Sequence, residues 1–159
     1  SAEPPAPVLP PPARPAPVAA GPSPKPQPAP VNLPPDKQVL ACLKAGMYRD
    51  AVTILKSLIA AAPGHADHYY NLSVACHRLH DTAGARAALE RCLELDGNSY
   101  RALCNLAGML FEEGDLQGAQ ELLERAVRLN PFDSHSAYNL KLVRRKRSGK
   151  SREKKTARR

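Results

Sequence analysis

Residues 66–99 read ADHYYNLSVACHRLHDTAGARAALERCLELDGNS and residues 100–133 read YRALCNLAGMLFEEGDLQGAQELLERAVRLNPFD, and laid one over the other they share their punctuation. His80 falls on Gly114 and Gly97 on Pro131, and moving 34 positions toward the N-terminus from His80 and Gly97 reaches Gly46 and Pro63. Ala51, Ala85 and Ala119 obey the same step, as do Leu55, Leu89 and Leu123, then Leu72, Leu106 and Leu140. Independent residue classes in one register imply a stacked array of similar units.

Within a unit the apolar spacing is helical. Leu72, Ala75, Cys76 and Leu79 share one stripe, and Leu89, Cys92, Leu93 and Leu95 roughly form another, which points to helices and not strands. Breaks at Gly46, Pro63-Gly64, His80-Asp81, Gly97-Asn98, Gly114-Asp115 and Pro131 leave segments of roughly 10 to 15 residues, which predicts about seven helices with short turns.

In this register Tyr69-x2-Leu72-Ser73, Ala85-x3-Leu89, Leu103-x2-Leu106-Ala107, Ala119-x3-Leu123 and Pro131 resemble the tetratricopeptide repeat family. Its unit carries a large residue, then Leu-Gly, then Ala-x3-large and Pro. The resemblance covers residues 32–65, 66–99 and 100–133 and a partial fourth unit from Ser134. It implies an all-α, right-handed superhelix with a concave groove lined by the front helix of each unit. The first unit departs at Pro35 and Gln38, so its front helix is expected to be short or frayed. Lys141 and Arg144 stand where earlier units carry small or apolar residues, which suits a capping helix with one solvated face.

The flanks differ in kind from this middle. Of 17 prolines, 15 lie in residues 1–35, and their fixed φ and missing N–H exclude helix and sheet. A polyproline II arm is expected there, reaching about 100 Å if stretched, a tether or spacer to an anchor upstream. At the other end, 11 of 23 Lys and Arg lie in residues 141–159 beside the one acid Glu153, while residues 1–140 hold 12 basic and 14 acidic side chains. The overall +8 therefore describes the tail. The expected division is an arm at 1–35, a repeat domain with its cap at 36–147, and a disordered basic tail at 148–159. No apolar run is long enough for a transmembrane helix. The compartment stays open: free cysteines lean cytoplasmic, whereas an envelope-type proline spacer leans periplasmic.

No phosphate-cradling glycine loop, HExxH pair, G-x-S-x-G elbow or CxxC pair occurs, so a non-enzymatic protein without cofactor, metal or small-molecule substrate is expected. Cys42 and Cys76 occupy equivalent places in adjacent units, too far apart to bridge, and Cys92 takes a packing place, while Cys104 faces the groove. His65-x2-His68 and Cys76-His77-x2-His80 have metal-like spacings but lack further convergent ligands.

The resemblance places Asn71, Asn105 and Asn139 on successive front helices facing the groove. Each amide offers donors and an acceptor to a peptide unit of any sequence. Tyr70, Tyr138, Arg101, Phe111 and His77 are their expected neighbours, a surface suited to a partner's peptide or helix. Some relatives carry a Lys/Arg clamp for chaperone C-termini. Arg101 and Asn71 match parts of it, but Asp36, Leu40 and Asn105 do not, so that clamp is not the expected mode.

The run Arg144, Arg145, Lys146 and Arg147 is a candidate polyanion site. The leading expectation is a protein-interaction scaffold, acting in assembly or secretion through its arm. The alternative is a nucleic-acid or ribonucleoprotein adaptor using the basic tail. Three-repeat proteins of this size also resemble cytoplasmic chaperones of bacterial secretion systems, which lack such an arm.

Overall fold

The computed structural model describes residues 33–156, with side-chain surroundings through residue 149. Its helices are α1 (Pro35–Lys44), α2 (Tyr48–Ala61), α3 (Ala66–Arg78), α4 (Thr82–Leu95), α5 (Tyr100–Glu113), α6 (Leu116–Leu129) and α7 (Ser134–Thr156). Among the described residues there are seven helices and no strand, and each helix packs chiefly on the one before it and the one after. The expected proline arm lies outside the described residues, except for Leu33, Pro34 and Pro35.

The two prolines set where the stack begins. Pro34 is the N-cap of α1 and Pro35 its first residue, a place where a missing N–H costs nothing because no partner exists for it. The helix has 10 residues against 13 in α3 and 14 in α5, so the first unit's front helix is short, as expected. Val39 and Cys42 carry its buried face, at 1% and 0% exposure.

Inside the stack the 34-residue rows become the core. Ala51, Ala85 and Ala119 are at most 1% exposed, and Leu55, Leu89 and Leu123 at most 2%. Alanine lets paired helices approach closely, and each leucine, one turn later, contributes about 2 kcal/mol by leaving water. Cys42, Cys76 and Cys92 are buried free thiols that pack as small hydrophobes, and burial pushes each upward from its ordinary pKa. The stripes expected along α3 and α4 hold at Ala75, Cys76, Leu89 and Cys92. Leu79 and Leu95 are instead 37% and 36% exposed, because each ends its helix where the chain turns away from its neighbour.

Polar residues at the turns repeat as well. Asp81 and Asp115 cap α4 and α6, accepting the amides of Gly84 at 2.9 Å and Gly118 at 3.0 Å, which satisfies donors the helix leaves open. Gly46, His80 and Gly114 close the front helices in the left-handed region, with φ of +74°, +61° and +87°. Histidine has a Cβ that this region disfavours.

Helix α7 seats Leu140 and Val143 against Ala107, Leu116, Ala119 and Leu123, closing the stack. It then continues as helix to Thr156. Lys and Arg are good helix formers, and a helix already docked needs no new nucleus to propagate.

His80→Gly should remove the left-handed penalty and stabilise the fold by about 1 kcal/mol, a rise in melting temperature of about 4 °C. Calorimetry of the two proteins checks it; an unchanged or lowered transition would show that position 80 stores no backbone strain.

Candidate peptide-binding groove

Equivalent positions on α3, α5 and α7 form rows across one face of the stack. Asn105 and Asn139 line a cleft of about 410 Å³ together with His77, Val74 and Glu112. Its floor is the buried Ala85, Leu89 and Met109. Asn71, Tyr70 and Arg101 line a separate cleft of about 600 Å³ with Asp36, Leu40 and Asp67. Phe111 and Asn139 line a third of about 210 Å³, with Leu142 and Val143. The three amides thus lie on successive front helices but divide between clefts, Asn139 joining two of them. Tyr138 stands 62% exposed.

A residue that the motif reading passed over gives the first cleft its room. Gly108 lies in mid-α5 and lines both that cleft and the 210 Å³ one. In the 34-residue row its equivalents are Val74 and Leu142, so two aliphatic side chains flank an empty place. A methyl group at position 108 would meet no heavy atom within 4 Å. Packing therefore does not require glycine here, although a helix-interior glycine costs about 1 kcal/mol relative to alanine. The signal was present in the sequence as the row Val74, Gly108, Leu142.

Several expected groove residues are engaged within the chain. The Arg101 guanidinium lies 4.2 Å from the centre of the Tyr70 ring, and the Lys146 ammonium 4.2 Å from that of Phe111, both cation–π geometries. Asp36 is bound to His68 Nε2 at 2.8 Å, while His68 Nδ1 is buried without a partner. Cys104 Sγ lies 2.8 Å from Ser136 Oγ of α7, so the groove-facing thiol is partly covered, and burial pushes its pKa up. His65 and His68 rings are 5.2 Å apart. Among the described residues no group of three or more His, Cys, Asp or Glu converges as a metal site needs.

The basic run is largely used to seat α7. Arg144 donates to Glu124 at 2.8 Å and Arg147 to Gln120 at 2.9 Å, while Gln120 itself donates to Glu124 at 2.8 Å. Arg145 is exposed. The Arg144 hydrogen bond holds the Glu124 carboxyl below its ordinary range. At the start of α7, Asp133 accepts from the hydroxyl and the amide of Ser136, and these bonds hold it below its ordinary range too.

Two family models described as tetratricopeptide repeat match the chain, over residues 37–100 and 77–141. The human protein O-mannosyl-transferase TMTC3 is 31% identical over 105 residues, which are 64% of this chain and 11% of that protein. The human PEX5-related protein is 30% identical over 89 residues, 56% of this chain and 14% of that one. The chain thus spans a small fraction of the length of these relatives. Among solved structures, the first TPR of Spaghetti (RPAP3) bound to the HSP90 peptide SRMEEVD superposes with a TM-score of 0.67 at 19% identity, over 72% of this chain and 90% of that one. The Yersinia enterocolitica secretion chaperone SycD, in complex with a peptide of the translocator YopD, gives 0.65 at 16% identity, over 71% and 92%.

Carboxylates depressed on folding contribute stability that is fully present above their unfolded pKa and is lost as pH falls through the lower folded value. For Glu124 and Asp133, with ordinary values of 4.5 and 3.8, the loss belongs below that range. Glu124→Gln with Asp133→Ala should therefore lower the melting temperature at neutral pH and flatten its fall from about pH 4.5 downward. Melting curves across that range test it, and an unchanged acid limb would remove these carboxylates as the docking anchors of α7.

Proposed function

This chain belongs to the tetratricopeptide repeat family, and from that membership we propose that it is a non-enzymatic scaffold holding an extended segment of a partner protein across α3, α5 and α7. The observation that carries the reading is the cleft at Gly108. A glycine kept in a helix interior against its propensity, beside open space, suits a site where another chain comes close.

The surroundings of that place match what an extended peptide needs. Asn105 and Asn139 offer amide donors and acceptors to its backbone. Val74 and Met109 in the 410 Å³ cleft and Leu142 in the 210 Å³ one offer apolar seats for its side chains on either side of Gly108, so main-chain contacts supply grip and the notch supplies selection. The RPAP3 domain with its HSP90 peptide and SycD with its YopD peptide support this use of the fold, and neither names the partner here.

Charge argues against an acidic chaperone tail as that partner. Asp36 and Leu40 stand where a carboxylate clamp needs side chains of another kind, Asp67 joins them in the 600 Å³ cleft, and Arg101 is stacked on Tyr70. Asn105 occupies a further clamp position. A neutral or apolar segment fits better. The proline-rich residues 1–35 serve in this reading as a spacer, in keeping with a role in assembly or secretion.

Gly108→Met should fill the notch while raising helix propensity by nearly 1 kcal/mol. Asn105→Ala with Asn139→Ala should remove the amides without touching the core. Affinity capture from the source lysate, washed at high salt after nuclease, followed by titration of the retained protein, is expected to show at least a tenfold loss of affinity for both variants with melting temperature held or raised. Equal capture by Gly108→Met would overturn the groove as the binding site.

A further inference from the structure

The cations of α7 divide into two groups. Arg144, Lys146 and Arg147 reach back to Glu124, Phe111 and Gln120, so with Leu140 and Val143 they pin the middle of the helix to α5 and α6. Lys141 and Arg145 are exposed on the same stretch. Beyond them Lys150, Arg152, Lys154 and Lys155 follow, with Glu153 their single acid, and the helix runs on through Thr156.

From Arg144 to Lys155 there are eight Lys or Arg in 12 residues. Setting aside Arg144, Lys146 and Arg147, which reach back, five remain along about 18 Å of helix at a rise of 1.5 Å per residue, roughly one cation every 3.6 Å. Duplex nucleic acid carries one phosphate charge per about 1.7 Å of its axis, a dense line of the sign opposite to that of this helix end. We propose that the C-terminal half of α7 docks on the phosphate backbone of nucleic acid without regard to base sequence.

A membrane surface is disfavoured by the same residues. Between Arg144 and Thr156 there is no aliphatic or aromatic side chain, hence no apolar face to enter the acyl boundary as an interfacial helix must. The lack of an aromatic also removes base stacking, the usual second component of single-strand binding. A merely solubilising surface looks different in this protein. The outer face of α4 pairs opposite signs, Arg86 with Glu90 at 3.0 Å and Arg91 with Glu94 at 2.6 Å, whereas the end of α7 is nearly all of one sign. Lys146 with Lys150 and Lys150 with Lys154 are like charges four residues apart, which weaken a free helix and which phosphate would relieve.

The test uses the full chain and dye-labelled probes: single-stranded RNA, duplex DNA of two unrelated sequences, and phosphatidylcholine vesicles containing phosphatidylserine. Binding to nucleic acid should be similar for the two DNA sequences and fall with salt at a log–log slope of about −4, roughly 200-fold between about 50 and 200 mM salt. Lys150→Glu with Lys154→Glu should weaken it at least tenfold and reduce the slope by about 2, with melting temperature unchanged, while Gly108→Met should leave it intact. The proposal is overturned by a slope near zero, by tighter binding to vesicles than to either nucleic acid, or by undiminished affinity after charge reversal.

Discussion

The close approach of paired helices at Ala51, Ala85 and Ala119 is the constraint from which the rest of this structure follows. A single pair of helices of about four turns cannot bury enough apolar surface to stand alone, so each pair must lend its outer face to the next. Alanine at the crossing and leucine one turn later make every pair present the same shape, and that sameness is why the units stack in register. It is also why the ends are special. Pro34 and Pro35 start the described stack, and α7 finishes it with an inner face of Leu140 and Val143 and an outer face of charge.

What could be read from the residues alone followed this constraint. The 34-residue step identified the family, the helix count and the buried rows, because each is fixed by contacts that recur in every unit. Departures came where contacts do not recur. Leu79 and Leu95 lie in apolar stripes but at helix ends, so periodicity alone could not tell them from core. The motif marks placed the asparagines on successive front helices, yet passed over Gly108, since what matters there is a side chain missing from a row.

That missing side chain shows how a repeat stack can carry function. The core rows tolerate little variation, because a change in one unit alters its fit to both neighbours. The groove rows are half-buried or exposed, so their composition is free to differ: Tyr70, Cys104 and Tyr138 in one row, His77, Phe111 and Arg145 in another. Individuality of the groove is therefore compatible with uniformity of the core. Gly108 goes one step further, since it lowers helix propensity without any packing return.

Helix α7 joins the two proposed surfaces. Asn139 and Leu142 line the 210 Å³ cleft, and the helix that carries them runs on past Arg144 to Thr156. Anything that undocks α7, such as loss of the Asp133 cap or of the Val143 contact, must open the groove and release the basic helix together. Occupancy of the groove should in turn hold α7 in place, because a peptide spanning α5 and α7 adds contacts that exist only while that helix is seated. The capping helix is thus common to the proposed peptide site and the proposed polyanion site.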